Sequence, residues 1–268
     1  MIPDTTHPHG RSDTYAVVGH RGAKDLSPEN TLESFRLAEK IGVHELEFDV
    51  RLSADGVAIV LHDATLDRTA ANEAGRGLGP VAELTYEQIR AVDIGDGRHV
   101  PTLGEVLAAT TVALQVEIKA VEACEEIARV VARRPHDAAR IRFTSFQPEA
   151  LRRMHALAPE ISRGLITHGY PDTERHPDGI ENVLAEVEAD AFYCGWDGLT
   201  DELVQRMQAA GYQMGGWPVR SLDDVRRGLA LGFNGGTVDD PQAGIAWLAQ
   251  AREVIARWPR PLEPMRHS

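Results

Sequence analysis

The chain has 268 residues, 43% hydrophobic and 26% charged, a balance that excludes disordered and fibrous classes and fits one large globular domain. A formal net charge of -13 repels a phosphate backbone, so no nucleic-acid partner is expected unless a local cation overrides the global field. The two cysteines, Cys124 and Cys194, specify no disulfide framework and are expected to be reduced and packed.

In chain order, residues 1–14 are rich in Pro, His, Asp and Thr, lack the apolar run of a signal peptide and read as a flexible tail. No apolar stretch reaches the roughly 18 residues of a membrane span, so a cytoplasmic location without stable membrane association is the expectation. From 15 to 256, short apolar runs alternate with amphipathic stretches, the order of βα units on a parallel sheet; 257–268 reads as a second tail. Strands are predicted at Ala16–Gly19, His44–Val50, Val112–Ile118, Ile141–Ser145, Arg163–Thr167, Ala191–Cys194, Gln213–Val219 and Gly236–Val238. Helices at Thr31–Ile41, Thr200–Ala210 and Leu222–Leu231 each stop at a glycine able to take the left-handed conformation that ends a helix. Eight such units predict an α/β fold, a single (β/α)8 TIM barrel.

The second unit is irregular. About fifty residues separate Val50 from the helix near Leu103, far more than an ordinary βα connection, so 51–102 is read as a small inserted subdomain. It opens with Arg51–Leu61, in which Asp55 and Gly56 signal a hairpin turn, and runs through the glycine-rich Gly75–Gly79. Long insertions at the carboxyl end of a barrel strand are where active-site walls are built.

Glu47 and Asp49 lie at alternate positions of a strand that should be buried, so both face the lumen, where two carboxylates repel unless a cation or proton compensates. Glu117 repeats this on the next strand, two positions before Lys119. Pairing with Arg or Lys would be the bland explanation, but three acids converging at one barrel mouth make a hard oxygen site for Mg²⁺, Ca²⁺ or Mn²⁺. His20, followed by Arg21, closes the first strand, and His62, followed by Asp63, ends the hairpin; two such histidines suit acid and base roles. His7, His9, His136, His155, His176 and His267 are read as structural or exposed. Trp217 suits either a ligand-facing wall or core packing, and Phe192, Tyr193 and Trp196 are equally ambiguous.

With these residues placed, the chain resembles the glycerophosphodiester phosphodiesterase family over residues 16 to 245. The resemblance rests on Gly19-His20-Arg21-Gly22, Pro28-Glu29-Asn30-Thr31, Glu47-Phe48-Asp49-Val50, Asp55-Gly56, His62-Asp63 with Leu66, and Arg68-Thr69. It continues with Pro101-Thr102-Leu103 and Glu105, Glu117-Ile118-Lys119, Ser145-Phe146 and Trp217. It implies a hydrolase of lipid and glycerol metabolism that releases sn-glycerol 3-phosphate and an alcohol from a small glycerophosphodiester. It further implies His20 and His62 as catalytic acid and base, Glu47, Asp49 and Glu117 as ligands of one Mg²⁺ or Ca²⁺, and Arg21 and Lys119 as phosphate-holding cations. The same resemblance permits lysophospholipase D-like activity, and a catalytically silent barrel binding phosphate ligands is the alternative of another class. Trp217-Pro218-Val219-Arg220 stands where the family commonly has Trp-Thr-Val-Asn, which bears on substrate preference; proline has no amide donor, so the strand should end or go unpaired at Pro218. Arg68-Thr69 is followed by Ala70 and Ala71 instead of threonine and asparagine, and the last strand, Gly235 to Pro241, is more polar than the common form.

Overall fold

Runs of β-branched and aromatic residues extend into strands, and the amphipathic stretches between them coil back across the outside. The structure, a computed structural model, describes residues 15–257; the first expected tail and all of the second beyond Arg257 lie outside the described residues. The strands are β1 (Ala16–His20), β2 (Glu45–Leu52), β3 (Ala58–Val60), β4 (Ala113–Ile118), β5 (Ile141–Ser145), β6 (Ser162–Gly169), β7 (Ala191–Asp197), β8 (Gln213–Val219) and β9 (Gly235–Val238). Because β1 pairs with both β2 and β9, eight parallel strands close into a barrel, and β3 alone stands outside it, antiparallel to the end of β2. The α-helices are α1 (Leu32–Ile41), α2 (Tyr86–Arg90), α3 (Leu103–Ala109), α4 (Cys124–Ala132), α5 (Pro148–Leu157), α6 (Ile180–Glu186), α7 (Asp201–Ala209), α8 (Leu222–Leu231) and α9 (Pro241–Arg257). All but α2, which lies in the insertion, follow barrel strands.

Strand boundaries differ from the sequence reading where pairing extends beyond the apolar run. β2 continues through Arg51 and Leu52 because these pair with Ile59 and Ala58. β7 continues to Asp197, which meets Gly169 of β6 after a shift in register. Pro218 behaves as its missing amide requires: the strand runs on, but the ladder to β9 skips from Gly216 to Val219.

Outward side chains such as Leu46, Phe48, Val116, Ile118 and Phe143 are fully buried under the helices and form the main core. The insertion has a core of its own, built around Ile59, Leu61, Leu66, Ile89 and Val100. Thr102 and Glu105 join the two as a capping box at the start of α3, which accounts physically for the Pro101-Thr102-Leu103 motif with Glu105. Inside the barrel floor, Tyr193 fills the space beside two glycines; a Cβ on Gly164 or Gly215 would come within 2.7 or 2.5 Å of its ring. The buried Arg142 donates to Tyr193 Oη at 2.6 Å and to Gln213 Oε1 at 2.8 Å, which fixes that ring in place.

The turn after β1 is a tight piece of backbone at the barrel mouth. Arg21 itself has φ 49°, a left-handed conformation rare outside glycine, and Gly22 follows at φ 86°. Ser34, in the first turn of α1, clamps this turn by donating from Oγ to Arg21 O at 3.0 Å and accepting from Ala23 N at 2.8 Å. A Cβ on Gly22 would lie 2.5 Å from Ser34 Oγ and 2.7 Å from the Ser34 carbonyl carbon. Gly22→Ala is therefore expected to destabilise the fold by about 1–3 kcal/mol or more, visible as a thermal midpoint several degrees lower; an unchanged midpoint contradicts the clamp.

Candidate active site

Neighbouring strands β2 and β4 are in register at Asp49 and Glu117, and Glu47 lies two residues before Asp49 on the same lumen face. Glu47, Asp49 and Glu117 are 5%, 1% and 7% exposed, and each offers an oxygen within 4.8 Å of the others. Burial, then the charges of Asp49 and Glu117, pushes the Glu47 carboxyl well above its ordinary range; burial and Asp49 push Glu117 the same way. Nearby groups relieve part of this. Arg21 donates its backbone N–H to Glu47 at 3.2 Å and sets its guanidinium 3.3 Å from Asp49, while Asn30 Nδ2 donates to Asp49 at 2.9 Å. Lys119 Nζ lies 2.7 Å from Glu117 and 3.4 Å from Asp49.

Two buried oxygens, Glu47 Oε1 and Asp49 Oδ1, still make no hydrogen bond. Acceptor-only oxygens, buried, mutually repelling and without a hydrogen bond, fit a hard divalent cation, and Glu47, Asp49 and Glu117 are the residues that would hold it.

Both histidines flank this triad. His20 ends β1, and its Nδ1 bonds Asp239, the residue after β9, while its Nε2 lies 3.9 Å from Glu47 Oε2. Asp239 also holds Lys24 at 3.2 Å; burial alone would raise its carboxyl, but His20 and Lys24 outweigh that and keep it well below the usual range. His62 is carried over the triad by the backbone bond from Leu61 N to Asp49 O at 3.0 Å. Its Nδ1 bonds Asp63 at 2.6 Å, and burial holds the imidazole below its ordinary pKa. With each Nδ1 bonded to an aspartate, both rings offer Nε2 for chemistry. Asp63 is held by Arg68, and Arg68 reaches on to Glu29, which in turn holds Arg21 at 2.9 Å. Burial alone would raise Glu29, but hydrogen bonds and charge from Arg68 and Arg21 bring it to about 2.

His20, Arg21, Glu47, His62, Glu117, Lys119 and Trp217 all line one pocket of about 450 Å³, and buried Asp49 lies behind it. Its far wall is aromatic: Phe146 stacks on His168 at 4.7 Å and meets Trp217 edge-on at 5.5 Å. Trp217 is thus half-buried against the wall, its Nε1 donating to Thr167 O at 3.1 Å. Of the other ambiguous rings, Tyr193 faces the pocket from below, Phe192 is fully buried in the core, and Trp196 stacks on Phe233 away from the site. His176 is buried, His136 exposed, and His7, His9 and His267 lie outside the described residues.

Several residues of the site escape a reading of the sequence. Asp239 is 219 residues from His20 and reaches it only because β9 pairs with β1. His168 lines the pocket because β6 runs past Thr167. Arg51, also lining it, had a usable signal: it is the next alternate residue after Glu47 and Asp49.

The chain is similar to known proteins over most of its length. The sequence model of the glycerophosphoryl diester phosphodiesterase family matches residues 20–243. A glycerophosphodiester phosphodiesterase of Caldanaerobacter subterraneus subsp. tengcongensis is 28% identical, the match covering 84% of this chain and 94% of that protein. A solved Silicibacter pomeroyi structure described under the same family name is 28% identical, with a TM-score of 0.81 over 91% of this chain and 96% of that one. An Oleispira antarctica phosphodiesterase solved in complex with the product sn-glycerol-3-phosphate is 24% identical and shares the fold, with a TM-score of 0.77 over 90% and 98% of the two chains.

Two outcomes follow from the charges. Saturating Mg²⁺ or Ca²⁺ should raise the thermal midpoint, since about 2.7 kcal/mol accrues at a hundredfold excess over Kd, and Glu47→Gln or Glu117→Gln should remove most of that rise; an undiminished rise in either variant contradicts the triad. Glu29, depressed from 4.5 to about 2, stabilises the fold above pH 4.5 and loses that contribution as pH falls toward 2. Glu29→Gln should therefore lower the midpoint at pH 7 by more than at pH 3, and a pH-independent difference would show that the ion pairs are not its cause.

Proposed function

Since the chain belongs to the glycerophosphoryl diester phosphodiesterase family, we propose that it hydrolyses small glycerophosphodiesters to sn-glycerol 3-phosphate and an alcohol, with His20 and His62 as its acid-base pair. The observation that carries this reading is the meeting of two aspartate-held imidazoles with three buried carboxylates in one pocket. The product held by the Oleispira relative supports glycerol 3-phosphate as the common product.

In this mechanism the diester's nonbridging oxygens face Arg21 and Lys119, the two cations beside the triad. A divalent cation on Glu47, Asp49 and Glu117, Mg²⁺ or Ca²⁺ with Mn²⁺ as a substitute, would act as a Lewis acid and offset the charge that builds on phosphorus. His20 Nε2 takes the proton of the free glycerol hydroxyl as that oxygen attacks phosphorus. His62 Nε2 gives its proton to the departing alcohol oxygen as the P–O bond breaks. Water then opens the cyclic phosphate with the proton transfers reversed, which returns both rings to their starting state. Asp239 and Asp63 keep each ring in the tautomer that exposes Nε2 and stabilise its protonated form. Phe146 and Trp217 give the carbon skeleton an apolar wall.

His20→Ala and His62→Ala should each lower turnover of glycerophosphodiesters by about 10²- to 10⁴-fold while circular dichroism stays native. Near-normal turnover in either variant refutes the assignment. Activity that survives chelation of divalent ions, assayed on the same diesters, would refute the metal's part in it.

A further inference from the structure

Arg51 is the third cation of the pocket, and it is bonded unlike the other two. Arg21 is engaged by Glu29 at 2.9 Å and Asp49 at 3.3 Å, and Lys119 by Glu117 at 2.7 Å and Asp49 at 3.4 Å. Among the described residues no carboxylate comes within ion-pair distance of Arg51, whose one hydrogen bond runs from Nε to His62 O at 2.9 Å. A guanidinium carries five N–H donors, so that single bond fixes the plane of the fork and leaves Nη1 and Nη2 for whatever enters the pocket.

Its position says which part of a ligand it meets. Glu47, Asp49 and Arg51 alternate along β2 and so form one row facing the same way. Arg51 stands two residues, about 7 Å, beyond Asp49 along that row; it is level in register with Lys119, whose ammonium reaches back to Glu117 and Asp49, whereas the Arg51 guanidinium is tied to His62. On the reading given above, the triad level holds the phosphate and His62 protonates the departing alcohol, so Arg51 lies outward of phosphorus on the side of the leaving group. A planar fork with two free terminal nitrogens matches a carboxylate end-on, with two parallel charge-assisted hydrogen bonds.

We propose that Arg51 selects diesters whose leaving alcohol bears a carboxylate, which Nη1 and Nη2 clasp at the pocket's outer edge. The inference rests on the hydrolase reading above and adds to it a class of substrate. The cation acts on binding and orientation of the leaving group and takes no part in proton transfer.

Serine and ethanolamine, as leaving alcohols, differ by one carboxylate, which makes glycerophosphoserine and glycerophosphoethanolamine a matched pair. The measurement is kcat/KM for both with saturating divalent cation, in the unaltered chain, in Arg51→Met, which keeps an apolar stem, and in Arg51→Lys, which keeps the charge but not the fork. The unaltered chain should favour the serine diester. Arg51→Met should cut the serine-to-ethanolamine ratio by about tenfold or more, the effect of one charge-assisted pair, and Arg51→Lys should restore part of it. Equal losses on both diesters in Arg51→Met, the result if the guanidinium served only the shared phosphate or the support of His62, would overturn the proposal, as would an unchanged ratio. If the unaltered chain turns over neither diester, the failure belongs to the hydrolase reading, and the inference falls with it.

Discussion

Three carboxylates buried within 4.8 Å of one another are the constraint around which this molecule is arranged. Left alone, such a cluster would take up protons, as the raised Glu47 and Glu117 carboxyls show. The chain answers with positive charge brought in at backbone cost. Arg21 is held in a left-handed conformation so that its amide reaches Glu47 while its guanidinium reaches Asp49, and Gly22 and Ser34 exist in their places to make that turn feasible. Lys119 closes the other side from the end of β4.

Around this centre the charges alternate in a continuous chain. From Arg21 it runs through Glu29, Arg68 and Asp63 to His62; on the other flank Lys24 and Asp239 hold His20. Glu29 belongs to the loop after β1, and Arg68 to the insertion. Their ion pair adds a side-chain link between an insertion-borne imidazole and the barrel, beside the Leu61 backbone bond to Asp49 and the Arg51 bond to His62. Arg21 and Glu29 are largely buried while the outer pairs are partly exposed and of modest worth singly; linked together they orient His62, as Asp239 orients His20.

Much of this was legible in the sequence, and what was not has a common cause. The barrel follows from eight alternations of pattern, and the acid triad from two-residue periodicity in β2 with an acid at the corresponding place in β4, both local signals. The end of β7 is missed because pairing at Gly195 to Asp197 outlasts hydrophobicity, whereas Arg51 and Leu52 pair with β3 in the hairpin that Asp55 and Gly56 signal. Asp239 as the partner of His20 depends on closure between the first and last strands, and Arg68 as the partner of Glu29 on docking of the insertion; no spacing encodes either. Arg51 is the instructive case, because the row that exposed two acids also contained it, yet a search for acids stops at Asp49.

Tyr193 and Arg142, described with the barrel floor, give the site a further property. Tyr193 and Gln115 border both the pocket above and the narrow space beneath, so the ring and its guanidinium support form a stopper across the lumen. Plugged below, the pocket opens toward the rim. If the chain is the hydrolase proposed above, the fragment formed deepest leaves behind the one nearer the rim, so depth sets the order of exit before any difference in affinity does.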